Sequence, residues 1–170
     1  MKKSAERNRN VYRREIEGNK LLSKPVVMPM KKDFYEKLYK LKSLKKANSL
    51  NFINENKYKD FIQEIKNIKS KYSKSFEDFK MLSNYDVLVV NGKDRLIMAK
   101  NVRNSIKFFI PMCEMFGVIH TMHLLFNHAP LDDLDRYIRA KYCNISKEVI
   151  KLYLTCCQVC QLNRNFKNNI

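Results

Sequence analysis

Tryptophan is absent from the 170-residue chain, and glycine and proline are scarce at three and four residues. Three isolated glycines exclude a glycine-rich phosphate-binding loop. No apolar run approaches the roughly 18–20 residues that a membrane-spanning helix needs. The opening stretch, MKKSAERNRNVYRREIEG, lacks the apolar centre of a secretory signal, and Glu6, Glu15 and Glu17 are foreign to a transit peptide. The expected location is therefore inside the cell, in nucleus or cytoplasm, with no membrane association. In that reducing setting the five cysteines, Cys113, Cys143, Cys156, Cys157 and Cys160, read as metal ligands or core thiols rather than disulfides.

Acidic residues are the other shortage. Against 17 Asp+Glu stand 34 Lys+Arg, a net charge of +17. That excludes an acidic, solvating protein and makes nucleic acid or another anionic surface the natural partner. The excess is carried by 25 lysines against 9 arginines, and 18 asparagines accompany them. AT-rich coding DNA produces such a bias independently of phosphate binding.

The pattern predicts a mainly α protein with a small β-hairpin or three-stranded unit and a C-terminal helical domain stapled by zinc. Residues 1–31 read as a basic flexible arm, with KPVVMPM around Pro25 and Pro29 extended. Residues 32–83 read as a basic helical region. Phe34, Tyr35, Leu38, Tyr39, Leu41 and Leu44 recur at helical spacing, and a second helix over 54–70 carries Tyr58, Phe61, Ile62, Ile65 and Ile68 on one side. A third helix starts at Ser75 as N-cap, with Glu77 and Asp78 favoured in its first turn. Residues 84–111 form the β unit: YDVLVV and DRLIM flank Asn91-Gly92, a turn signal for a hairpin, and IKFFI supplies a third strand closed by Pro111.

Residues 112–165 form the zinc domain, with helices over 112–125, 132–141 and 147–156, and 166–170 are a tail. Met115, Phe116, Ile119 and Met122 face inward, and Ser146 caps the last helix. All three histidines, His120, His123 and His128, lie within nine residues. His123 and His128, then 28 intervening residues, then Cys157-Gln-Val-Cys160 make a tetrahedral zinc set. Two thiolates converge on one ion around a CxxC knuckle, and two imidazoles at a helix end complete the four. His120, three residues before His123 on the same helical face, is the alternative first ligand. Cys156 reads as a buried thiol, Cys113 and Cys143 as core fillers. Asp132, Asp133 and Asp135 suit a helix start rather than a catalytic metal site.

VIHTMHLLFNH, YIRAKY and ISKEVIKLYLTCCQVCQLNR resemble the His-His-Cys-Cys zinc-binding domain of retroviral and retrotransposon integrases. Matching positions are His123, His128, Ile138, Tyr142, Val149, Tyr153, Leu154, Cys157, Cys160, Gln161 and Arg164. Upstream, FYEKLYKLK, FKMLSNYDVLVVNGKDRLI and IKFFIPMCEMFGVIH are similar to a transposon-derived branch, the KRAB-A domain-containing protein 2-like proteins. The likeness spans residues 33–165 and is most specific in its C-terminal part. Where that family reads GHxG, this chain reads NHAP, without either glycine.

The resemblance favours His123 over His120 and implies a structural Zn²⁺ held by His123, His128, Cys157 and Cys160. It also implies a module that supports DNA binding and multimerisation, homo-oligomers included, without a small-molecule substrate. Arg136, Arg139, Lys141, Arg164 and Lys167, all near the zinc unit, are the candidates for phosphate contacts. The ribonuclease-H-like Asp-Asp-Glu core of such integrases lies beyond the point where this chain stops, so no catalysis is expected. The alternatives are a domesticated protein-interaction module with structural zinc, or a truncated integrase gene model.

Overall fold

The computed structural model describes residues 23–44, 50–99 and 105–162. Helix α1 (Ser23–Ser43) departs at once from the extended conformation expected of KPVVMPM, since Pro29 lies inside it. Val27, Met30, Phe34, Leu38 and Leu41 share one face at helical spacing, and all five pack on a single hydrophobic core. Burying large apolar side chains contributes about 1.5–3 kcal/mol each. Together they outweigh the roughly 3 kcal/mol that an interior proline costs. Pro29 itself faces solvent. The rest of the expected arm, residues 1–22, lies outside the described residues.

A short 3₁₀ turn (Leu50–Phe52) leads to α2 (Glu55–Ser70), capped by Asn54, whose side chain accepts the Lys57 N–H at 2.8 Å. Its buried stripe is Tyr58, Ile62, Ile65 and Ile68. Helix α3 (Phe76–Asn84) starts in a capping box: Ser75 accepts from the Asp78 N–H, and Asp78 accepts from the Ser75 N–H. Strands β1 (Tyr85–Val90) and β2 (Lys93–Met98) form an antiparallel hairpin in the register Tyr85↔Met98 to Val90↔Lys93. Asn91 and Gly92 both take positive φ, 51° and 72°, as a two-residue hairpin turn requires.

The expected third strand is corrected. The sheet has two strands, and residues 106–110 run extended beside β2 with a single bridge from Phe108 to Ile97. The backbone of Phe108 is shared with the chain on its other side. Its N–H donates to Lys141 and its carbonyl accepts from Cys143, at 2.8 and 3.0 Å. Buried Asn144 then clamps Ile110, two residues on, accepting its N–H at 3.0 Å and donating to its carbonyl at 2.8 Å. The segment is held between two neighbours rather than laddered to one.

Helices α4 (Met112–Leu125), α5 (Leu131–Lys141) and α6 (Lys147–Cys156) complete the order. Ser146 caps α6 as expected, accepting from the Val149 N–H. Two cores result. One joins α1 to α4, α5 and α6 through Phe34, Leu38, Met115, Phe116, Ile119, Leu134, Ile138, Ile150, Tyr153 and Leu154. The other joins α2, α3, the hairpin and Phe109 through Tyr58, Ile62, Ile65 and Leu96. Between them, the Met112 N–H donates to the Ile53 carbonyl, and Arg95 of β2 grips both carboxylate oxygens of Glu114 at 2.8 Å.

Candidate metal centre

His123 stands in the last turn of α4 and is fully buried. The chain then reverses at Asn127 and His128, both with positive φ (49° and 58°), and the His128 N–H closes back on the His123 carbonyl at 2.8 Å. Here lies the physical meaning of NHAP. Asparagine and histidine are among the few side-chain-bearing residues that tolerate the left-handed region, so the turn forms without glycine. Cys157 follows directly on α6, and residues 158–162 begin a further helical turn, its first bond running from the Gln161 N–H to the Cys157 carbonyl at 3.0 Å. The Gln161 side chain donates to the Leu154 carbonyl at 2.7 Å and satisfies one of the open groups at the end of α6.

These elements bring the four residues nominated from the sequence together. One donor atom from each of His123, His128, Cys157 and Cys160 lies within 4.8 Å of all the others. His123 Nε2 is 2.9 Å from His128 Nδ1 and 3.2 Å from Cys160 Sγ; His128 Nδ1 is 3.5 Å from Cys157 Sγ and 3.7 Å from Cys160 Sγ. In a tetrahedral site with metal–nitrogen bonds of 2.0–2.1 Å and metal–sulfur bonds of 2.3 Å, donors stand about 3.3–3.8 Å apart. The quoted contacts of 2.9 to 3.7 Å are close to that spacing, the two to His123 being somewhat shorter, and the group is positioned to hold a metal ion.

Burial pushes the His123 imidazole down to about 4, reinforced by the neighbouring His128 and His120. The Ala129 backbone opposes this, and the buried Nδ1 has no hydrogen-bond partner among the described residues. Burial also lowers His128. Both rings are therefore neutral at physiological pH, the form that ligates a metal. Tyr153, fully buried beside them, is raised first by burial and then by the nearby cysteines, so its hydroxyl stays protonated.

His120 is not in the group. It stacks on Phe116 and places Nδ1 2.8 Å from the Tyr153 hydroxyl, a packing role behind the ligands. Cys156 is buried as expected, and burial pushes its thiol up to about 11. Cys143 is half-buried and donates to the Phe108 carbonyl at 3.2 Å. Cys113 is exposed, which corrects its reading as a core filler.

The three aspartates open α5 and are each ion-paired: Asp133 with Arg136 (2.5 Å), Asp135 with Arg139 (2.7 Å) and Asp132 with Lys147 (2.5 Å). Arg136 also lies over the Tyr137 ring, which stacks flat on Phe126 at 3.8 Å. Lys141 sits over Tyr142. Arg164 and Lys167 lie outside the described residues. Sequence reasoning passed over the roles of Asn127 and Gln161 in shaping the two ligand turns. The NHAP departure marked the first, and the glutamine directly after the CxxC pair, one of the matching positions, marked the second.

Fold and site together define a mainly helical protein whose C-terminal helices carry a two-histidine, two-cysteine cluster suited to a metal ion. The chain is similar to human KRAB-A domain-containing protein 2, with 36% identity over 132 residues. The match covers 77% of this chain but only 27% of that protein's length, and it supports the branch to which the upstream segments pointed. No family model matches the chain, and no solved structure matches it.

Proposed function

We propose that the chain is a non-catalytic zinc-binding module of the transposon-derived integrase type, supporting DNA binding and multimerisation. The convergence of four nitrogen and sulfur donors within 4.8 Å carries this reading. Two thiolates and two imidazoles in a tetrahedron suit zinc, and four protein ligands leave no open position for a reacting water. The metal's part is to hold the ends of α4 and α6 together. The integrase character rests on the resemblance of the segments around these ligands, and the KRAB-A domain-containing relative supports its branch.

DNA binding draws its support from the charge of +17 and from the guanidiniums of α5. Anisotropy of a labelled duplex with the zinc-loaded chain tests it. Affinity falls with salt, and Arg136→Gln with Arg139→Gln reduces the log–log slope by about 1.8 if each contacts a phosphate. A zinc-loaded chain that ignores the duplex overturns the DNA half of the proposal. The reading then favoured is a protein-interaction module, which the exposed Leu124, Leu125, Val159 and Leu162 flanking the metal ligands would serve.

A further inference from the structure

Helix α3 turns only part of its surface inward. Asp78 is buried, and Met81 and Leu82 pack on the second core. At about 100° per residue, Phe76, Phe79, Lys80 and Ser83 then share the opposite, outward face. Phe76 is 79% exposed and Phe79 60%, and Tyr72 in the loop just before the helix is fully exposed. Single exposed apolar residues are ordinary on a protein surface, but three aromatic rings within eight residues of chain are not.

Lysines outnumber carboxylates around these rings, and Glu77 is the one exposed carboxylate of the helix. The Asp78 carboxylate is withdrawn from solution by Lys71, at 2.9 and 3.0 Å, and by the capping box. Lys74 donates only to the Lys71 carbonyl oxygen. Among the described residues, neither Lys74 nor Lys80 has a carboxylate within ion-pairing distance. Glu77 is exposed but turned away from Phe76 by one residue's rotation.

We propose that this face, Phe76 and Phe79 with Lys80, together with Tyr72 and Lys74 of the loop just before it, binds single-stranded nucleic acid, the rings stacking on bases and the lysines contacting phosphates. Flat rings interleaved with unpaired lysines are the two components such surfaces combine. A duplex hides its base faces and cannot use the rings. A membrane-surface helix presents a continuous apolar face, whereas Lys80 and Ser83 share this one with the two rings. The surface belongs to the second core and does not depend on the metal centre or on the α5 arginines.

The test measures anisotropy of labelled single-stranded oligothymidylate with the full, zinc-loaded chain and with two double variants, Phe76→Ala with Phe79→Ala and Phe76→Leu with Phe79→Leu. All these positions are exposed, and unchanged circular dichroism confirms the fold. Both variants are expected to weaken binding about tenfold or more, because leucine keeps the apolar area but loses the stacking ring. Lys74→Gln with Lys80→Gln should reduce the salt slope by about 1.4. Duplex binding should be unaffected by the phenylalanine variants. Single-strand binding that leucine restores, that duplex competes for equally, or that none of the variants alters overturns the proposal. So does loss, in the phenylalanine variants, of binding to phosphatidylserine vesicles alone.

Discussion

Phe34 of α1 meets Tyr153 of α6 edge-on, with ring centroids 6.2 Å apart, and Tyr153 in turn meets the ring of His123 at 5.3 Å. One tyrosine thus connects the first described helix to a residue of the candidate metal centre. The core that a metal at this centre would hold together is therefore α1 with α4, α5 and α6, and not the C-terminal helices alone.

Removing the metal should consequently loosen α1 as well. Structural zinc contributes apparent energies of roughly 10–16 kcal/mol in small zinc-finger peptides, because the site forms only on folding. Hydrogen exchange with a strong chelator should lose protection over residues 27–41 and 112–162 together, while α2 and the hairpin keep theirs. Protection in α1 that survives chelation while α4 and α6 exchange freely would show two independent units.

Truncating Phe34 tests the same link from the other side. Phe34→Ala should cost about 3–5 kcal/mol of stability, and metal affinity should fall with it. Denaturant titration alongside zinc titration measures both.

Asn144 is a buried clamp. Its side chain satisfies both the N–H and the carbonyl of Ile110, buried groups that lose these partners if the clamp goes. Asn144→Ala should cost about 2 kcal/mol or more, and denaturation midpoints read the loss directly. An effect below about 0.5 kcal/mol would mean that the 106–110 segment repairs itself.

The turn through Asn127 makes a conformational prediction. At φ 49°, Asn127→Gly should leave stability within about 0.5 kcal/mol, relief of the left-handed conformation being set against greater freedom of the unfolded chain. Asn127→Val should cost about 1–2 kcal/mol. It should also weaken metal binding, since the His128 N–H to His123 carbonyl bond depends on this turn.

Asp78 supplies a pH dependence. Lys71 first, and then the Ser75 N–H, hold its carboxyl below the ordinary carboxylate range. A depressed folded value means stabilisation that is complete above the unfolded pKa of about 3.9 and lost as pH falls through the folded value. Asp78→Asn should therefore lower the melting temperature at neutral pH, and the gap from the parent protein should narrow as pH falls below about 3.9. A gap independent of pH would remove the charge from the explanation.

Local signals carried much of this architecture. Ser75, Asn91-Gly92 and Ser146 each mark a boundary through their own backbone chemistry, so α3, the hairpin turn and the start of α6 are readable from a few neighbouring residues. The metal group was legible for a similar reason, since its two halves are compact, HxxxxH and CxxC. What escaped depends on distant partners. Pro29 reads as a helix breaker until Phe116 and Tyr153 give the face of α1 something to bury against. IKFFI has strand composition, but Lys141, Cys143 and Asn144 claim the backbone of Phe108 and Ile110. Neither competition is written within a window of ten residues.

Native mass spectrometry of the chain, purified without chelator, tests the central claim most directly. The parent protein should carry one zinc. So should Cys113→Ser, Cys143→Ser and His120→Ala, while Cys157→Ser with Cys160→Ser should carry none. A parent chain without zinc, or a double serine variant that keeps it, would contradict the assignment of His123, His128, Cys157 and Cys160 as the metal centre.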